Sequence, residues 1–86
     1  MWLYGLSAMS VQTHTIADSK EMKELAHSIE YRVGEHAEVS AFWIFDDNVE
    51  VHVPIESGGV WDSDIPEGYR ISEVKADNGE LIVTVR

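Results

Sequence analysis

Residues 38–55 read EVSAFWIFDDNVEVHVPI, and the alternation of their apolar side chains decides the fold. Val39, Ala41, Trp43 and Phe45 share one parity and Phe42 and Ile44 the other, so a strand here carries apolar side chains on both faces. After Asp46, Asp47 and Asn48, which favour a turn, Val49, Val51 and Val53 alternate with Glu50 and His52. Two such runs around a turn predict a β-hairpin. Pro54 has no N–H to give to a ladder and is expected to end the second strand or hold it at an edge. A strand apolar on both faces belongs inside a sheet or beneath a second surface.

Toward the N-terminus lies the segment 19–34, SKEMKELAHSIEYRVG. Met22, Leu25, Ala26, Ile29 and Val33 recur at the spacing of one helical stripe, which predicts a helix over about residues 19–33. Asp18 followed by Glu21 fits a capping box, and Gly34 suits the left-handed residue that ends many helices. Before it, VQTHTI (11–16) alternates β-branched and polar residues as an edge strand does.

Toward the C-terminus, YRISEVKADNGELIVTVR (69–86) reads as a second hairpin. Its turn is expected at Asp77–Gly79, where Asn and Gly tolerate positive φ, and Leu81, Val83 and Val85 supply its inward face. Residues 56–68, with Gly58, Gly59 and Pro66, form the loop between the hairpins. The fold class that follows is α+β: one amphipathic helix packed on a mostly antiparallel sheet of four to five strands, in the order β-α-β-β-β-β. Residues 9–86 make a single domain. Residues 1–8 read as an N-terminal extension, because MSVQTHTIADS from Met9 would itself make a natural beginning.

Sixteen Asp and Glu against six Lys and Arg give a net charge of −10. Between Val33 and Tyr69 there is no Lys or Arg, while Glu35, Glu38, Asp46, Asp47, Glu50, Glu56, Asp62, Asp64 and Glu67 all fall there. Phosphate backbones and anionic membranes are bound through Lys and Arg, so neither nucleic acid nor a membrane is an expected partner. In composition, though in no motif, the chain resembles proteins of salt-accumulating halophiles, in which a Debye length of about 3 Å at molar salt relieves carboxylate repulsion. With no cysteine, thiolate metal sites, iron–sulfur clusters and cysteine nucleophiles are excluded. The opening MWLYGLSAM is too short for a membrane span and lacks the charged start of a signal peptide, so the protein is expected to be soluble and cytoplasmic.

One helix cannot cover both faces of a sheet. Phe42, Ile44, Ile82 and Trp61 are therefore expected to form an interface with a protein partner or a second copy of the chain.

Other candidate sites are less coherent. Counted as a calcium loop, WDSDIPEG places Asp62 and Asp64 at the first and third positions and Glu73 at the twelfth. Pro66 then occupies the fifth position and a glycine the seventh, so Asp62, Asp64 and Glu73 serve better as turn acceptors and solvated carboxylates than as metal ligands. Glu24 and His27 have the Glu-x-x-His spacing of di-iron bundles but lie opposite the apolar stripe, on the solvated face. There is no nucleophile elbow and no phosphate loop. No cofactor is expected. The leading expectation is a non-enzymatic interaction or self-associating module. The alternatives are an acidic nucleic-acid mimic, and a metal-dependent site or enzyme built at an oligomer interface.

Overall fold

Helix α1 (Lys20–Val33) lies across one face of a five-stranded sheet in the computed structural model, which describes residues 11–15 and 19–86. The strands are β1 (Gln12–Thr15), β2 (Ala41–Ile44), β3 (Val49–Pro54), β4 (Ile71–Asp77) and β5 (Glu80–Val85). Their order across the sheet is β1-β2-β3-β5-β4. β1 and β2 are parallel because α1 carries the chain back between them, and every other pairing is antiparallel. The element order β-α-β-β-β-β and the α+β class agree with the sequence reading. Residues 1–8, Ile16 and Asp18 lie outside the described residues.

The helical stripe packs as its spacing requires. Met22, Leu25, Ala26, Ile29 and Val33 are buried against the sheet. The N-cap is Ser19, whose hydroxyl accepts the Met22 N–H at 3.2 Å, a contact that contributes about 1 kcal/mol. The cap expected at Asp18 therefore belongs one residue later. Gly34 is a second correction: at φ −62° it is right-handed. The N–H groups of Glu35, His36 and Ala37 turn back onto the Arg32 and Val33 carbonyls, satisfying the helix end without a left-handed residue.

The face covered by α1 also differs from expectation. Phe42 and Ile44 are each 1% exposed and lie in the core beneath the helix, so they form no open interface. Hairpin register explains this. Phe42 pairs with Val51 and Ile44 with Val49, which places the valines of β3 on the Phe42 face, while Trp43 pairs with Glu50 and Ala41 with His52 on the other. Val83 and Val85 of β5 complete the core beside them, and Val53 extends it opposite the half-buried Leu81.

At the β4–β5 turn, Asn78 (φ 54°) and Gly79 (φ 80°) both take the left-handed conformation of a two-residue hairpin. The connection from Ile55 to Arg70 contains two short 3₁₀ turns, Ile55–Ser57 and Asp62–Asp64. It folds over the helix side of the sheet and sets Val60, Ile65 and Tyr69 against the core. Gly58 permits this path: its φ is 135°, and a β-carbon there would stand 3.2 Å from that of Ala37. Among the described residues no helix is long and apolar enough to cross a membrane.

Candidate functional site

Three residues distant in sequence meet where α1 ends. His36, just beyond the helix, points Nε2 at both carboxylate oxygens of Asp64, at 2.9 and 3.1 Å. A carboxylate in this geometry only accepts, so Nε2 carries the proton. Asp64 Oδ2 also accepts the Trp61 main-chain N–H at 2.7 Å, closing the 3₁₀ turn that holds both residues. Asp64 is 4% exposed, and these bonds are what make its burial tolerable.

The same contact orients Trp61. Its ring stacks on His36 with 3.5 Å between centroids and 2° between planes. One indole face is thus occupied, yet Trp61 remains 56% exposed. Beside it, Tyr31 on the last turn of α1 is 73% exposed. Both line a groove of about 650 Å³, together with Arg32, Glu35, His36 and Asp64. A large aromatic held in one orientation at a groove can anchor a ligand at little further cost in side-chain entropy.

The arrangement is poorly suited to proton transfer. A His–Asp pair acts as a general base when the other ring nitrogen faces a substrate or nucleophile. His36 Nδ1 is instead buried, with no hydrogen-bond partner among the described residues.

A second polar cluster lies on the opposite sheet face. Ser40 Oγ bonds Glu80 Oε2 at 2.5 Å and His52 Nδ1 lies 3.3 Å from Glu80 Oε1. The carboxylate takes both neighbours itself, so Ser40 meets Glu80 rather than the histidine that would activate it as a nucleophile. The Ser40 hydroxyl first, then the His52 ring, hold the Glu80 carboxyl below its ordinary range, against the opposing effect of partial burial. On this face His14 also stacks on Trp43 at 4.2 Å, beside Phe45.

The expected site residues disperse. Asp64 turns inward to His36, Asp62 is exposed beside Trp61, and Glu73 is exposed on β4. Among the described residues no group of three His, Cys, Asp or Glu side chains is placed to hold a metal ion. Glu24 and His27 are solvated, as the helical wheel implied. Of the four interface residues, Phe42 and Ile44 are core. Ile82 is 9% exposed on the opposite sheet face, between His52 and Lys75 in register. Trp61 alone stands open. No sequence motif brings Tyr31 or His36 to this groove, although a tyrosine off the apolar stripe is a usable signal.

Compared with known proteins, the chain matches no protein-family model, no curated protein and no solved structure.

Proposed function

We propose that the chain is a non-enzymatic protein-interaction module whose docking surface is the groove walled by Tyr31 and Trp61. One observation carries this reading: Trp61 is fixed by the His36 stack and the Asp64 hydrogen bond, yet more than half of it stays in water. Rigid, half-exposed aromatics of this kind dominate binding energy at protein interfaces. The role is the one expected from the sequence, moved from the sheet face around Phe42 and Ile44 to the helix end.

Affinity capture from an extract of the source organism, using the wild-type chain and the Tyr31→Ala/Trp61→Ala double variant, tests the reading. The expected result is a protein retained by the wild type and lost from the variant, with both chains folded by circular dichroism. Equal retention on the two would overturn it. Self-association through the same groove would appear in light scattering as a dimer that depends on Trp61.

A further inference from the structure

We infer that the groove takes an arginine- or lysine-bearing segment of a partner protein, whose cationic group sits over the open face of Trp61. This rests on the docking role of the groove and adds the chemistry of its guest.

Charge selects among the occupants. Glu35 lines the groove and Asp62 stands exposed beside Trp61, both from the stretch between Val33 and Tyr69 that has no Lys or Arg, while α1 brings Tyr31 and Arg32 to the same groove. A second copy would bring −10 against −10 through this acidic end, and the repulsion acts across the roughly 8 Å Debye length of physiological salt. A cationic segment meets the opposite field, which speeds its encounter and fixes its orientation.

The aromatic geometry agrees. His36 covers one face of Trp61, so a guest reaches the other, and an indole face is the most favourable aromatic surface for a cation. Tyr31 offers a second ring on the same groove. Glu35 can pair with the bound cation, whereas Asp64 is already engaged by His36 and the Trp61 N–H.

Among the described residues that line the groove, Arg32 is the one whose charge opposes such a guest. It lines the groove and makes no ion pair among the described residues, so it contributes local positive charge where the guest must arrive. That opposition gives the inference a sign that can be read. Removing Arg32 should strengthen a cationic guest and weaken an anionic one, and Arg70, exposed at the start of β4, supplies a control with the same change in net charge.

The test is a fluorescence-anisotropy titration of labelled oligoarginine and oligoglutamate peptides against the full chain at low ionic strength. The chains compared are wild type, Trp61→Ala, Trp61→Leu, Arg32→Gln and Arg70→Gln, and Trp61→Leu keeps apolar bulk if the alanine variant fails to fold. Oligoarginine should bind the wild type and weaken about fivefold or more when the indole is removed. Arg32→Gln should tighten it more than Arg70→Gln does. Equal tightening by the two, with no loss at Trp61, means diffuse attraction and overturns the inference. Oligoglutamate binding that weakens on both Trp61→Leu and Arg32→Gln overturns the cationic guest while leaving the groove as a docking site. If neither peptide responds to Trp61, the inference and the docking role fall together.

Discussion

His36 and Trp61 lie face to face, 3.5 Å between ring centroids and 2° from parallel, and both are tied to the Asp64 carboxylate. Asp64 is thus the residue on which the shape of the groove depends. Asp64→Ala removes the acceptor for two donors in a nearly dry position, and should cost about 1–3 kcal/mol in chemical denaturation. Asp64→Asn keeps a carbonyl for one donor and should cost less. Trp61 emission should shift toward that of solvated indole in both variants. Unchanged stability in Asp64→Ala would show that the clip does not hold the loop.

Phe42 separates core from interface. It is packed under α1 with Val51 and Ile29 in the same cluster, so Phe42→Ala should destabilise the chain by about 3–5 kcal/mol, measured by denaturant unfolding. A folded Phe42→Ala variant of near wild-type stability that loses a partner would return the interface to the sheet.

Two side-chain bonds predict opposite limbs of a pH profile. Glu80 has its pKa lowered from an ordinary 4.5 by Ser40, then by His52. Its contribution is present above pH 4.5 and is lost as pH falls through the lower folded value. Tyr69 donates to Glu21 at 2.5 Å, and that hydrogen bond, with burial and the charges of Glu21 and Glu24, raises its pKa from 10.0. Its contribution is present below pH 10.0 and disappears as pH rises through the folded value. Melting curves of Glu80→Gln should therefore converge on wild type in acid, and those of Tyr69→Phe in alkali. Gaps that stay constant with pH would contradict both assignments.

Salt should stabilise the chain through screening rather than through a bound ion. With a net charge of −10, the melting temperature should climb as KCl rises from about 0.1 M to about 1 M, over which the Debye length falls from about 10 Å to about 3 Å. Calcium, magnesium, manganese or zinc at low concentration should add nothing beyond ionic strength. A saturable shift with any of them would reveal a site that Asp62, Asp64 and Glu73 do not form.

Local periodicity made α1 and both hairpins legible, because Met22 to Val33 and the Asn78–Gly79 turn each answer to rules that act within a few residues. Apolar parity alone does not show which face of β2 joins the core; the connection from Phe45 to Asn48 places Ile44 opposite Val49 and so fixes which side joins the valines. That register carries more information than the number of apolar residues of each parity. The His36–Asp64 pair spans 28 residues and depends on how the 55–70 connection crosses the helix end. No periodic pattern marks such a contact, so only Trp61 and the off-stripe Tyr31 point to the groove in the sequence.

The most direct measurement is oxidative footprinting of tyrosine and tryptophan side chains, comparing the chain in buffer with the chain in an extract of its source. Tyr31 and Trp61 should be protected in the extract while Trp43, on the opposite sheet face, oxidises at its buffer rate. Protection of Trp43 with Tyr31 and Trp61 left as reactive as in buffer would contradict the docking role of the groove.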